Sequence, residues 1–278
     1  MISVIIPTYN ESDVIGECLK SLENQNIRDF EVIVVDDGSS DETFDKLSKF
    51  AIHHKSVTIF RQDQKGPGAA RNLGATHAKG DILVFVDADM KFSRNFLKEL
   101  IKPIVKKKSL GTFSKQEFVS NWDNVWARCW NINEGWGKRM RHPKKYPSKQ
   151  KVFRAILKSE FVKVGGFEPG GYTDDYSLSE KLGYLAEEAK GAVFFHKNPS
   201  GLREVFYHAK WVGKRKYKLG TLGYFVALIR ASFPVSIVIG ILKSVFNLQP
   251  AFVLFKVVYD FGITAGIVNY LKTKRGSK

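Results

Sequence analysis

Short apolar runs alternate with helix-patterned segments through the first 90 residues, and this alternation restricts the fold more than any other feature of the chain. Residues 4–6 and 32–35 are continuous apolar runs, as expected of parallel strands covered on both faces. Between them, Ser12 is placed to cap a helix whose apolar positions Val14, Ile15, Cys18, Leu19 and Leu22 share one face. Asp41 opens a second helix with Phe44, Leu47 and Phe50 turned inward. Residues 57–60 and 82–86 supply two further strands, and residues 66–78 between them form a glycine loop running into a helix. Repeated strand–helix–strand units of this length imply an α/β protein with a doubly wound, mostly parallel sheet and helices on both faces. Such sheets bind ligands at the carboxyl ends of their strands.

Those strand ends carry the chemistry. The first is followed by Pro7-Thr8-Tyr9-Asn10-Glu11, the second by Asp36-Asp37-Gly38-Ser39-Ser40-Asp41 and the one at 82–86 by Asp87-Ala88-Asp89. Turn formation and helix capping account for Asp41 and Ser39. They account less well for Asp87 and Asp89, because two carboxylates two residues apart repel unless a cation lies between them. Oxygen ligands suit Mg²⁺ or Mn²⁺, ions that usually bridge to substrate phosphates. The segment Gly66-Pro67-Gly68-Ala69-Ala70-Arg71-Asn72 lets a ligand approach the backbone and offers a guanidinium fork. It matches neither a Walker loop nor a dinucleotide fingerprint.

The balance of 44 Lys+Arg against 28 Asp+Glu gives a formal charge of +16 and calls for an anionic partner. An apolar fraction of 44% excludes overall disorder. Two cysteines, Cys18 and Cys129, exclude a disulfide framework and fit a reducing compartment. The N-terminus lacks the basic region of a signal peptide and reads as a strand that starts at once.

Taken in order, Val-Ile-Ile-Pro-Thr-Tyr-Asn-Glu (4–11), Val-Val-Asp-Asp-Gly-Ser-Ser-Asp-Glu-Thr (34–43), Gly-Pro-Gly-Ala-Ala-Arg-Asn-Leu-Gly-Ala (66–75) and Val-Asp-Ala-Asp (86–89) resemble the signature of the family 2 glycosyltransferases. Val164-Gly165-Gly166-Phe167, then Thr173-Asp174-Asp175-Tyr176-Ser177-Leu178, continue the match, with Asp174 where the family has Glu. His196 and the stretch from Leu202 to Trp211 resemble its closing segment, so the likeness covers about residues 1–215. The resemblance implies a GT-A-type fold and an inverting, metal-dependent transfer from a nucleotide-sugar donor. By position, Asp37 would bind the base with Asp36 in support, and Pro7, Tyr9 and Glu11 would line the base and ribose pocket. Arg71 would reach the base or diphosphate and Asp87 the ribose. Asp89, with Asp87 and His196, would hold Mg²⁺ or Mn²⁺. Asp175 would be the general base, beside Asp174, which is also placed to cap a helix. A lone His after three apolar residues is equally a satisfied core residue. A sugar nucleotidyltransferase and a basic nucleic-acid-binding protein are the alternatives; against the second, acids rather than bases cluster at the strand ends.

Residues 102–158 hold fifteen Lys/Arg against three acids, with four of the five tryptophans. On a helix, Trp122, Trp126 and Trp130 would form one stripe, either core or facing a membrane or acceptor. Residues 219–242 and 251–271 are apolar runs long enough to span about 30 Å of hydrocarbon. Yet they contain Arg230 and Pro234, and Lys256 and Asp260, respectively. Lys/Arg clusters flank the pair on both outer sides, which fits a hairpin with cytosolic ends, two interfacial helices or a soluble cap. The expected organisation is a catalytic domain at 1–218, with a nucleotide-binding half at 1–100 and an acceptor half at 101–218. A helical pair at 219–278 would follow, associated with the cytoplasmic face of the cell membrane. The expected partners are a nucleotide-sugar donor, a lipid-linked acceptor and the membrane surface, without nucleic acid.

Overall fold

The computed structural model describes residues 1–168, 174–215 and 217–273, with the backbone alone at 174 and 175. The chain begins β1 (Ile2–Thr8), α1 (Ile15–Glu23), β2 (Phe30–Asp36), α2 (Thr43–His53), β3 (Val57–Arg61), α3 (Pro67–His77) and β4 (Ile82–Phe85). All four strands anticipated from the apolar runs are present. There follow β5 (Met90–Phe92), α4 (Phe96–Val105), β6 (Gly111–Phe113), β7 (Glu117–Val119), α5 (Val125–Glu134), β8 (Lys149–Gln150), β9 (Ala155–Leu157) and α6 (Lys158–Lys163). The last stretch holds α7 (Asp174–Leu182), β10 (Ala186–Glu188), β11 (Phe194–His196), α8 (Leu202–Gly213), α9 (Gly220–Arg230), α10 (Phe233–Phe246) and α11 (Phe252–Thr273).

Two compact units result. The first comprises residues 1–118 and 145–196, the second residues 119–144 and 197–277. The division does not fall near residue 218: 119–144 and 197–218 cluster with the C-terminal helices.

In the first unit an eight-stranded sheet has the order β3-β2-β1-β4-β9-β6-β10-β8. The β3-β2-β1-β4 half is parallel throughout, and β9 joins β4 antiparallel. Alternation along the strands sends Val4, Ile6, Val34 and Val84 to one apolar layer and Ile5, Ile33, Val35 and Leu83 to the other. That is why the runs are continuously apolar: both faces are covered. Helix α3 lies so close to β1 that a Cβ on Gly74 would stand 2.6 Å from the Ile5 side chain. One capping expectation needs correction and the other holds. Helix α1 starts at Ile15 without a side-chain cap, and the Ser12 backbone N–H instead donates to Asp41. Asp41 does meet the start of α2, accepting from the Thr43 N–H at 3.0 Å.

The second unit is helical. Helix α5 begins at Val125, after Trp122, so the three tryptophans do not form one helical stripe. Asn124 caps it, accepting from the N–H groups of Trp126 and Ala127. Trp130 packs edge-on against Phe255 and Tyr259 of α11, so its role is core. The run at 219–242 is not one straight helix: α9 and α10 meet at a 60° bend, with Pro234 in the first turn of α10. Among the described residues, α11 is the one helix long and apolar enough to cross a membrane, or one of two if the bent pair counts as a span.

Candidate active site at the carboxyl edge of the parallel strands

The loops after β1 and β2 are laced together. Asn10, in the left-handed region at φ 56°, receives on its side-chain oxygen the Ser40 N–H at 2.9 Å, and its own N–H donates to Ser39 Oγ at 2.9 Å. The Glu11 N–H donates to Thr43 Oγ1 at 2.8 Å. This brings Pro7, Tyr9 and Glu11 beside Asp36 and Asp37. Tyr9 is exposed and Pro7 buried.

Asp36 and Asp37 are both buried, and each is engaged. Asp36 pairs with Arg61 Nε at 3.1 Å. Asp37 accepts from Gln62 Nε2 at 2.7 Å, the Lys65 N–H at 2.8 Å and the Gly66 N–H at 2.7 Å. Its carboxylate thus holds the loop between β3 and α3 against the end of β2. Asp37→Ala is expected to weaken nucleotide binding by about 1–3 kcal/mol, because it leaves buried N–H groups unpaired in that loop. Unchanged affinity for UDP and for GDP in calorimetry would remove the loop from the binding site.

Asp87 answers the question of the repelling acids in an unforeseen way. Its two oxygens face two guanidiniums, Arg71 Nη2 at 2.8 Å and Arg154 Nη1 at 3.1 Å. Burial alone would push this carboxyl up, but Arg154 and Arg71, with His196 nearby, outweigh burial and hold it well below the usual carboxylate range. The cations beside Asp87 are therefore arginines. Arg154 was not identifiable in advance: it arrives just before β9, which pairs with β4, and its carbonyl accepts the Phe85 N–H.

Asp89 lies 3.2 Å from His196 Nε2. The opposite ring nitrogen of His196, Nδ1, meets Glu117 Oε1 at 2.5 Å. Topology makes this meeting: β5 follows Asp89 directly and β11 pairs with it antiparallel, so that His196 stands opposite Met90. The third strand of that small sheet, β7, brings Glu117. Glu117 also escaped the sequence reading; it is one of the few acids in a basic stretch, which is a weak signal.

Among the described residues no three His, Cys, Asp or Glu side chains form a ready-made metal cage. The donor set still fits Mg²⁺ or Mn²⁺. A half-exposed carboxylate oxygen and an imidazole nitrogen converge, the imidazole is oriented from behind by a carboxylate, and a diphosphate would complete the oxygen shell. In this geometry Asp89 and His196 are the candidate ligands, whereas Asp87 is committed to the two arginines.

Glu11 lies in the field of these acids. Burial first, then Asp89, Asp87, Asp41 and Asp13, push its carboxyl up to about 8. The folded protein therefore keeps a proton that the unfolded chain releases from about pH 4.5 upward. Stability contributed by this group falls between those two values, by up to about 1.4 kcal/mol per pH unit. Glu11→Gln is expected to raise the melting temperature of the ligand-free protein at pH 8 and to leave it nearly unchanged at pH 4. An identical pH slope in the two proteins would show that Glu11 is not protonated.

The motif segments at 66–75 and 164–167 form one structural unit. Asn72 Nδ2 donates to the Phe167 carbonyl at 2.8 Å, and its Oδ1 accepts the Phe167 N–H at 2.9 Å. The Phe167 ring lies 5.6 Å from the Arg71 guanidinium. Gly166 has φ +71°, and a Cβ there would meet Asn72 Oδ1 at 2.5 Å. The Glu168 N–H donates to Ser177 Oγ at 3.0 Å, anchoring α7. The side chains of Asp174 and Asp175, expected to act in catalysis, lie outside the described residues.

Comparison with known proteins agrees with this architecture. A poly(ribitol-phosphate) beta-glucosyltransferase of Bacillus spizizenii is 42% identical over 92 residues, 32% of this chain and 14% of that protein. Glycosyltransferase GlyG of Streptococcus pneumoniae is 32% identical over 108 residues, 38% of this chain and 36% of that one. The chain thus matches well under two thirds of the length of either relative. Among solved structures, TarS 1–349 of S. aureus in complex with UDP-GlcNAc superimposes with a TM-score of 0.58 at 16% identity, covering 99% of this chain and 92% of that one. The mannosyltransferase PcManGT of Pyrobaculum calidifontis, in complex with GDP-Man and Mn2+, gives 0.56 at 21% identity, covering 98% and 75%. These two likenesses establish the GT-A-type fold. The model of glycosyl transferase family 2 matches residues 3–162, more than half of the chain, so the protein belongs to that family.

Proposed function

We propose that the protein moves a sugar, with inversion, from a UDP- or GDP-sugar to a lipid-linked acceptor at the cytoplasmic face of the membrane, using Mg²⁺ or Mn²⁺. The observation that carries this reading is the meeting of Asp87, clamped by Arg71 and Arg154, with the row Asp89–His196–Glu117 at the edge where β1, β2 and β4 end. A leaving nucleoside diphosphate gains negative charge as the glycosidic bond breaks. Fixed cationic side chains at that edge stabilise the growing charge. Asp89 and His196 would hold the metal, which when bound supplies Lewis-acid stabilisation of the diphosphate. Asp37 and its loop, with Pro7, Tyr9 and Glu11, would line the nucleoside side of the pocket, with Asp36 behind.

Asp175, in the first turn of α7, is the proposed general base, with Asp174 beside it. An inverting displacement needs a base on the face of the sugar opposite the leaving group, to take the proton of an attacking hydroxyl. If the acceptor is a phosphate, its nucleophilic oxygen is already anionic and the base is less needed. A relative named for glucosyl transfer to poly(ribitol-phosphate) supports an acceptor of the surface-polymer or lipid-linked class.

Donor binding and chemistry can be tested separately. UDP and GDP, each with and without Mn²⁺, are titrated into wild type and Asp175→Asn, and turnover is then measured on a hydroxyl acceptor. Donor affinity is expected to be retained in the variant while turnover falls by on the order of 10²–10⁴. Near-normal turnover on such an acceptor would place the base elsewhere, and absence of binding by either nucleotide would overturn the donor assignment.

A further inference from the structure

Helix α10 is amphipathic in the reverse sense for a protein bathed in water. Ser232 at its N-cap, Ser236, Gly240 and Lys243 occupy a narrow wedge that turns inward, with the half-buried Ser244 at its edge. Ser236 is buried and donates to Asp260 Oδ2 of α11 at 2.6 Å. A Cβ on Gly240 would stand 3.2 Å from Val253 Cα. Lys243 Nζ donates to the carbonyls of Ile132 and Asn133 at 3.1 and 3.2 Å. What remains outward is apolar: Val245 is 66% exposed and Phe246 83%, and Ile241 lies on the same side. Helix α9 continues the surface with Phe225 and Ile229, and Phe233 sits at the bend. So many large apolar side chains left exposed along two successive helices mark an interaction site.

The charge around it selects the occupant. From residue 205 to residue 259 there is no Asp or Glu, against eight Lys and Arg. Arg215, Lys218 and Arg230 are exposed around α9. A second copy of the chain seated on this surface would bring like charges together with no acid in the segment to meet them. An anionic lipid surface satisfies both features, since hydrocarbon takes the apolar face and head groups take the cations.

The helices also determine how deep the contact goes. By rise per residue α9 and α10 are about 16 and 21 Å long, each short of the roughly 30 Å of hydrocarbon, and they are bent at 60° to one another. Helix α11 has the length to span, but α8 is packed along it without room for side chains: a Cβ on Gly262 would meet the Phe206 carbonyl at 2.6 Å, and one on Gly266 would collide with the Lys210 carbonyl. Helix α8 carries Arg203, Glu204, His208 and Lys210. Inserting α11 would drag those groups into hydrocarbon, together with the Lys256–Asp260 pair at 2.7 Å.

We infer that the outward faces of α9 and α10 form a monotopic docking surface that lies in the interface of an anionic membrane, and that α11 does not cross the bilayer. This deepens the membrane part of the proposed function and is independent of the donor site. The test is flotation of the full chain with phosphatidylcholine vesicles, alone or with about one-third phosphatidylglycerol. Binding is expected to be at least about tenfold stronger with phosphatidylglycerol, to weaken with salt and to be released by alkaline carbonate. The double variant Val245→Glu/Phe246→Glu should lose it by about tenfold or more, whereas Ile52→Glu, an exposed apolar position in the first unit, should not. Nucleotide affinity measured on the same samples should be equal in all three proteins, which separates loss of docking from failure of the donor site. Carbonate-resistant binding would instead establish a spanning helix. Absence of vesicle binding, with a dimer by light scattering that the double variant abolishes, would make the surface a protein interface. Either result overturns the inference, as does a double variant that still floats.

Discussion

Asp89→Ala is expected to reduce sugar transfer by on the order of 10²–10³ while leaving the fold intact, the scale of losing one preorganised group that stabilises developing charge. The side chain is 40% exposed and faces His196, so its removal opens no core cavity. The same geometry predicts a graded series. His196→Ala should resemble Asp89→Ala, since the two converge on one point. Glu117→Gln should be milder, a loss of about 10–100-fold in metal affinity, because Glu117 acts through the orientation of His196. Binding of Mn²⁺ followed by electron paramagnetic resonance in the presence of UDP or GDP gives a readout independent of turnover. Full activity in EDTA, or unchanged Mn²⁺ affinity in all three variants, would end the metal assignment.

Truncation after Lys218 is expected to unfold the second unit rather than to release a tidy soluble enzyme. The anticipated boundary at residue 218 suggested a clean release, but the core of that unit crosses it. Cys129, Trp130, Val205, Phe252 and Phe255 form one buried cluster, and both phenylalanines come from α11. Burying each is worth roughly 1.5–3 kcal/mol. Losing both, and the remainder of α9 to α11 with them, removes stability comparable to the about 5–15 kcal/mol that holds an ordinary domain. Limited proteolysis should cut the truncated chain within residues 119–144, and its thermal unfolding should lose one transition. Residues 1–118 and 145–196 keep their own two apolar layers, so the remaining transition should belong to them. A truncated protein as protease-resistant as the full chain would show that α9 to α11 are an appendage.

The sequence by itself determined the parallel strands, because covering both faces of a sheet demands uninterrupted apolar runs, and runs such as 4–6 and 32–35 have few other uses. It also determined which loops carry acids, since polar groups at strand ends follow directly in the chain. Tertiary structure alone decided what those acids meet. Arg154 is 67 residues from Asp87, and Glu117 is 79 residues from the His196 that it orients toward Asp89; no periodicity reaches across such distances. Hence the cation inferred between two repelling carboxylates proved, at Asp87, to be a pair of guanidiniums. The same limit applies to α10. Its polar wedge was legible, but a wedge is the same pattern whichever side faces the protein. Only the packing of Ser236 and Gly240 against α11 turned the polar stripe inward and left the apolar face outside, because long-range contacts, not helical spacing, settle which surface of a helix is buried.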